Sequence, residues 1–422
     1  MKGLVRHISN FIMILLVLGA LYAFAMFQGG FVSWFLFFSF LPIFVYQLGL
    51  SLYPLHRWRV SRTLSPTIVQ AGDQLSVTIH MRRKFPFPFY FIVVEDILPT
   101  TLNMIDDREK KYRHLYDPSK LEVKRTEKRI VFPWFRRKID ISYKLDHMPR
   151  GEHILQGVRV RTSDIFGFIK KEHFFQVRQT VVVHPNVRPV ILSERISSFQ
   201  HGGSLSERRL HVKNTNVAVG TREYVPGDQL SWIHWKQTAK QNEMMTKEFE
   251  LEKNTDTLLV LDGCYYEGIN PLAFEAIVEL TLSLCESIHQ QSSQVGLLTI
   301  GKEIIHFPLQ HDQMNGQLIR EHLTSLVPSK TNPFSILLEK EMSNMNSNAV
   351  VMLLTTEIND HLQDVILKMH QHSNRIIVFV VQSEQQLTHN DQQLMQQLTY
   401  HGISICLLTE KELTRHPIEV NI

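Results

Sequence analysis

The sequence predicts a membrane-anchored multidomain protein: an N-terminal two-helix transmembrane hairpin, an antiparallel β-sandwich, then a doubly wound α/β domain. Three observations predict it. No charged side chain occurs from Ile8 through Leu55. The next region alternates apolar and polar residues in short runs broken by Pro, Gly and Asp. After Asp256 the pattern becomes short, continuous apolar runs separated by helix-length segments. The boundaries fall at 1–55 for the anchor, 59–185 for the sandwich, 186–255 for a linker with a dense motif, and 256–422 for the α/β domain.

A helical span needs ~20 apolar residues. The uncharged window holds two such stretches, at about 8–27 and 31–50, broken at Gln28-Gly29-Gly30. Lys2 and Arg6 precede them, Arg57, Arg59 and Arg62 follow, and the turn carries no charge. The positive-inside rule therefore places both termini and every soluble domain on the cytoplasmic side of the plasma membrane. Ala23-Phe24-Ala25 looks like a signal-peptidase site, but a second apolar stretch follows at once and arginines follow that, which favours a retained anchor. The spans contain no Asp, Glu, Lys, Arg or His, so they read as an anchor and not as a transport path.

The chain of 422 residues is ordinary in composition, with 44% hydrophobic residues and a net charge of +4. The basic clusters Arg82-Arg83-Lys84, Lys124-Arg125 and Arg136-Arg137-Lys138 are interspersed with acids. They read as solvated edges and turns near an anionic membrane surface, with no nucleic acid among the expected partners. Cys264, Cys285 and Cys406 are odd in number and far apart, which suits a reducing compartment and gives neither a disulfide framework nor metal spacing.

Within the sandwich, Leu75, Val77, Ile79 and Met81 alternate with polar residues, as do Ile139, Ile141, Tyr143 and Leu145. Phe89–Glu95, Gln156–Arg161 and Val181–Val183 are further strand candidates. Phe85, Phe87, Phe89 and Phe91 alternate and are expected to face the core.

In the α/β domain the expected strands are Thr257–Leu261, Val295–Ile300, Val350–Leu354, Ile376–Val381 and Ile403–Leu408. Their continuous apolar character suits parallel strands buried on both faces. A helix over Pro271–Gln291 would expose the stripe Glu275, Glu279, Glu286 and Gln290, and another over about Asn359–His372 would bury Leu362, Val365, Ile366 and Met369. Any ligand of such a sheet is expected at the carboxyl ends of the strands.

The linker motif is REYVPGDQLSWIHWKQTAKQNEMMTKEFE, from Arg222 to Glu250. Pro226-Gly227-Asp228 reads as a turn whose carboxylate accepts backbone N–H bonds, with Trp232 and Trp235 on one face of the helical turn that follows. From Met245 the alternation reads as a strand, expected to enter the α/β sheet. Arg222 is expected to pair with Asp228 or nearby carbonyls while Trp235 fills a gap between strand and sheet.

Through Arg222, Tyr224, Gly227, Asp228, Ile233, Trp235, Ala239, Lys247 and Phe249, the motif resembles the signature of the bacterial domain of unknown function 58 family. Ser231 and His234 depart from it, where arginine and an acid are usual. The resemblance implies a companion of MoxR-type AAA ATPases, often alongside a membrane transglutaminase-like protein. The α/β region is similar to von Willebrand factor A-type domains, where an Asp-x-Ser-x-Ser segment holds a divalent cation. Asp262, Cys264 and Tyr266 stand at those positions, so the site is degenerate and a cation, which needs several hard oxygens, is not expected. Asp262 is expected to cap the helix or to remain as a relic of the fold.

No nucleophile elbow, zinc-protease motif, P-loop or dinucleotide turn occurs. The expected function is a membrane-tethered, cytoplasm-facing interaction module without catalytic residues or cofactor. The alternatives are a hydrolase or metal-dependent enzyme centred on Asp228, His234 and Asp262, and an envelope-binding protein with external domains.

Overall fold

A computed structural model describes residues 2–66, 68–193, 213–225, 232–241, 243–252, 256–290, 294–310, 313–330, 332–345, 349–373 and 375–421. The chain divides into two compact units. The first comprises Met1–Asp106 and Glu122–Val183, and the second Asp107–Leu121 and His184–Ile422.

The first unit opens with helices α1 (Lys2–Gln28) and α2 (Phe31–Leu52). Among the described residues α2 alone is long and apolar enough to cross a membrane, while α1 contributes the shorter apolar stretch Ile12–Gln28. Between them Gly29 takes a φ of 60°, a left-handed conformation that glycine adopts without steric cost. Tyr22 packs edge-on to Trp34 across the turn, with ring centroids 6.4 Å apart.

Eight strands follow: β1 (Arg59–Ser65), β2 (Val69–Gln70), β3 (Leu75–Arg82), β4 (Ile92–Ile97), β5 (Glu127–Val131), β6 (Lys138–Leu145), β7 (Gly151–Ser163) and β8 (Lys170–His184). They form a three-stranded sheet, β1-β3-β6, and a five-stranded sheet, β2-β8-β7-β4-β5. Val77, Ile79 and Met81 from one sheet and Ile92, Val94 and Val160 from the other enter a single apolar core. The strict alternation of β3 and β6 produces this, because period 2 sends every second side chain inward.

Arg62, expected as a flanking membrane charge, is instead inside this unit. Its guanidinium holds Asp96 at 2.5 and 3.0 Å and donates to the Val177 carbonyl, while Tyr143 donates to the same carboxylate. The phenylalanine series also departs from expectation. Residues 85–91 are not a strand; Phe89 is buried, whereas Phe85 is 55% exposed.

In the second unit β9 (Val190–Ser193), β10 (Lys213–Glu223), α3 (Trp235–Gln241) and β11 (Met245–Glu252) precede the large sheet. That sheet is built from β12 (Thr257–Asp262), β13 (Val295–Ile300), β14 (Ile304–Gln310), β15 (Val350–Thr355), β16 (Arg375–Val381) and β17 (Ser404–Leu408). The order is β14-β13-β12-β15-β16-β17, parallel except for β14. Helices α4 (Pro271–Gln290), α5 (Gln313–Ser325), α6 (Phe334–Glu341), α7 (Asp360–His370), α8 (His389–Tyr400) and α9 (Glu410–Leu413) intervene, and β18 (Ile418–Asn421) pairs parallel with β9. Leu338, Leu362, Val365 and Leu398 cover one face of the sheet over Val260, Leu298, Val351 and Val378.

Helix α4 overturns the expected exposed acidic stripe at one position. Glu279 is 3% exposed and sits in a buried cluster. Its carboxylate accepts from Arg188 Nε at 2.5 Å and Tyr112 Oη at 2.6 Å, with Lys111 Nζ at 3.3 Å. Arg188 and Lys111 both lie over the Tyr112 ring, 5.3 and 5.0 Å from its centroid. Arg188 also donates to the Leu413 carbonyl at 2.7 Å, so one arginine joins α4 to the end of α9. Burial opposes the Glu279 charge, but the two cations prevail and hold its pKa below the usual carboxylate value.

Candidate functional site

The motif and the carboxyl edge of the large sheet are the two candidates, both in the second unit. In the motif, β10 and β11 pair antiparallel, placing Arg222 opposite Thr246, Thr221 opposite Lys247 and Ala218 opposite Phe249. The strand that begins at Met245 therefore completes a two-stranded ribbon and does not enter the large sheet. Ile233 is buried and bridges to Thr246, and His234 N donates to the Met245 carbonyl at 2.8 Å, which folds the helical turn back onto the ribbon.

That turn, α3, is capped by its own preceding residue. His234 Nδ1 accepts from Gln237 N at 3.1 Å, doing the work an Asx or Ser side chain does at an N-cap. Thr238 Oγ1 donates to the His234 carbonyl and accepts from Met245 N, closing the loop between α3 and β11. Because Nδ1 is the acceptor, the neutral ring carries its proton on Nε2. No hydrogen bond or ion pair among the described residues joins His234 to Asp262.

Trp235 does not fill a gap. It is 69% exposed, with Val225 at 55% and Met244 at 45%, and Lys236, Ala239 and Lys240 on the same short helix are exposed. The tertiary fold spends Ile233 and Met245 on burial and leaves the tryptophan outside. Arg222 is exposed and donates to the Glu223 carbonyl at 3.2 Å, which matches the expectation of a nearby carbonyl partner. Tyr224 is half-buried and its N–H donates to Met244 O at 2.8 Å. Gly227 and Asp228 lie outside the described residues.

At the sheet edge, Asp262 ends β12 and is 6% exposed. Its Oδ1 accepts from Cys264 N at 3.0 Å and its Oδ2 from Thr355 Oγ1 at 2.8 Å. The carboxylate therefore makes a local turn and ties β12 to β15. It does not cap α4, whose cap is Asn270, accepting from Leu272 N at 3.0 Å and Ala273 N at 3.4 Å. Burial pushes the Asp262 carboxyl up to about 7; the Cys264 and Thr355 donors oppose this, and the Glu357 carboxylate adds to it.

Cys264 and Tyr266 do not converge with Asp262 on a cation. The Cys264 thiol is directed at the Ile300 carbonyl, 3.6 Å away, and Tyr266 Oη donates to Thr356 Oγ1 at 2.9 Å. Among the described residues no three His, Cys, Asp or Glu side chains group closely enough to hold a metal ion. The donor set does not suit a divalent cation, which needs several hard oxygens around it. In sequence, Thr355-Thr356-Glu357 offers only Glu357 as a second acid. The two hydroxyls are what reach Asp262 and Tyr266, a role that no spacing rule signals.

One further arrangement is invisible in sequence. On the three-stranded sheet of the first unit, Asp140 Oδ1 lies 2.7 Å from His80 Nδ1, and His80 Nε2 lies 3.1 Å from Thr63 Oγ1. This is the order of a hydroxyl–imidazole–carboxylate relay. The His80 and Asp140 side chains are 37% and 63% exposed on an open sheet face, where water competes for every proton. A cross-strand polar ladder is the physical reading.

Residues 220–412 match the family model described as "Protein of unknown function DUF58", a range holding both candidates. The chain is 36% identical over 333 residues to "Uncharacterized protein YeaD" of Bacillus subtilis (strain 168), covering 78% of each chain. Among solved structures, the PilB minor pilin from Streptococcus sanguinis aligns at a TM-score of 0.31 and 8% identity, over 77% of this chain and 85% of that one. A point mutant of that pilin aligns at a TM-score of 0.29 and 7% identity, with the same coverage. At those scores the likeness carries no argument.

Proposed function

The chain belongs to the DUF58 family, and on that premise we propose that it is a membrane-tethered interaction protein whose docking face is the Trp235 end of the β10–β11 ribbon. The observation that carries this reading is the exposure of Trp235 beside Val225 and Met244. A tryptophan left 69% exposed keeps a large apolar surface in water, and residues of this type dominate binding energy once a partner covers them. Lys236 and Lys240 on the same helix are exposed and border it, which favours a partner with an acidic rim.

The partner is a MoxR-type AAA ATPase, in a cell-envelope or chaperone-like process, with a transglutaminase-like membrane protein as a further companion. Family resemblance supports this choice. The domains face the cytoplasm behind a two-helix anchor of α1 and α2; support comes from Lys2 and Arg6 in the first turns of α1, before its apolar stretch, and from Arg57 and Arg59 after α2. We read the large sheet as a degenerate von Willebrand factor A-like domain, on the strength of one antiparallel edge strand and an acid ending the first central strand. Its Asp262 serves the fold by tying β12 to β15.

The test is a photocrosslinking amino acid at position 235 of the full chain in cells. The expected product is an adduct with one AAA ATPase, absent when the crosslinker stands at exposed Tyr400. Adducts at 235 with lipid alone, or the same adducts from both positions, would overturn the proposal.

A further inference from the structure

Exposed aromatic residues gather at the end of the first unit that meets α2. Tyr53 donates to the Phe85 carbonyl at 2.7 Å, and Tyr46 stacks on Phe87 with centroids 5.5 Å apart, so the 85–90 loop lies against the last turns of the helix. Buried Arg83 donates to the carbonyls of Phe87, Trp134 and Arg136, which fastens the 132–137 loop beside it. The 164–168 loop is joined to α2 by Gln47, which donates to Asp164 at 3.3 Å, and Ile165-Phe166 face Pro42, Ile43 and Tyr46 across a groove.

These loops hold apolar side chains out into solvent. Phe132, Trp134, Phe135, Ile165, Phe166 and Phe168 are between 53% and 65% exposed. Lys84, Arg136, Arg137, Lys138 and Lys170 are exposed among them, and the acid these loops contain, Asp164, is buried. An aromatic tip ringed by cations suits a bilayer interface with anionic headgroups.

Helix length sets the depth. At ~1.5 Å per residue the 22 residues of α2 extend ~33 Å, close to the ~30 Å of a hydrocarbon core. The 164–168 loop lies beside Pro42 to Gln47, five to ten residues before the helix ends at Leu52, hence ~8–15 Å back along its axis. Seated with its last turns in the headgroup layer, α2 carries that loop to the boundary between headgroups and hydrocarbon.

We propose that the three loops form a collar around α2 that inserts its aromatic tips into the interfacial layer of an anionic bilayer. This rests on the membrane anchoring read from α2. The basic residues of the same loops then lie at the phosphate level, and the sandwich is seated against the membrane instead of swinging from the helix.

The test uses the full chain in lipid nanodiscs, spin-labelled one site at a time at Phe166→Cys, Phe135→Cys, Phe38→Cys and Tyr400→Cys. The three native cysteines are buried and stay in place. Labels at 166, 135 and 38 are expected to collide more with oxygen than with a water-soluble nickel chelate, and the label at 400 the reverse. In discs containing phosphatidylglycerol, Arg136→Gln/Arg137→Gln/Lys138→Gln should raise nickel collisions at 135; in pure phosphatidylcholine it should not. Labels at 166 and 135 in water with 38 in lipid would overturn the collar and leave the anchor standing. All three in water would overturn the anchoring itself. Labels at 166 and 135 shielded from both reagents would mean a protein cover, and an equal effect of the triple variant in both discs would mean no preference for anionic lipid; either overturns the proposal.

Discussion

Two buried acids in the second unit behave in opposite ways. Asp262 and Glu279 are 6% and 3% exposed. Asp262 has a backbone N–H and a hydroxyl as donors, and its pKa rises to about 7. Glu279 has an arginine, a lysine and a tyrosine hydroxyl, and its pKa falls below the ordinary value. Burial disfavours the charge at both positions, so the difference comes from cations placed within contact. A buried acid is therefore no signature of chemistry on its own. At Glu279 it fastens three segments of chain, and at Asp262 it ties two strands.

The contrast can be broken most strongly at Glu279. Glu279→Gln leaves Lys111 and Arg188 buried without the carboxylate, and should cost about 3–5 kcal/mol of stability, read by thermal unfolding in detergent micelles. Asp262→Asn should act in the other direction. At pH 8 the native carboxylate is ionised in a site that favours its acid, so the amide should stabilise by on the order of 3 kcal/mol. The signs follow from the shifts. Asp262 binds its proton more tightly folded than unfolded, so its contribution is full below pH ~4 and is lost as pH rises towards 7. Glu279 binds its proton less tightly folded, so its contribution is present at neutral pH and is lost as pH falls below the ordinary glutamate value of ~4.3. Asp262→Asn should flatten the slope between pH 4 and 7 and leave the acid limb unchanged.

A smaller change sharpens the same comparison. Tyr112→Phe keeps the ring beneath both cations and removes the hydroxyl donor to Glu279, costing about 1–2 kcal/mol. Smallest of all, Trp235→Ala should shift stability by no more than about 0.5 kcal/mol, because the side chain is exposed.

Much of the fold was legible because its signals are periodic. Val295–Ile300 appears over the span read from sequence, and Val350–Thr355 and Arg375–Val381 differ by one residue each. The alternation of β3 and β6 translated directly into an inward face. Strand β14 gives no clear signal in sequence because Pro308 interrupts its run, and an antiparallel edge is where a sheet tolerates proline. Glu279 looks exposed in sequence because it shares a helical stripe with Glu275 and Glu286, while its partners Lys111 and Arg188 come from distant segments. The exposure of Trp235 is hidden for a related reason. Composition says that a tryptophan prefers burial, but on this ribbon Ile233 and Met245 already fill the inner face. Long-range pairings and the choice between two apolar residues for one cavity are tertiary facts, and no local pattern carries them.

The most direct test of the account is co-purification of AAA ATPases with the solubilised full chain, comparing wild type, Trp235→Ala and Asp262→Asn. The account predicts that Trp235→Ala loses the ATPase with its melting temperature unchanged, while Asp262→Asn retains it. Retention by Trp235→Ala together with loss by Asp262→Asn would contradict it, and would move the functional surface from the ribbon to the sheet edge.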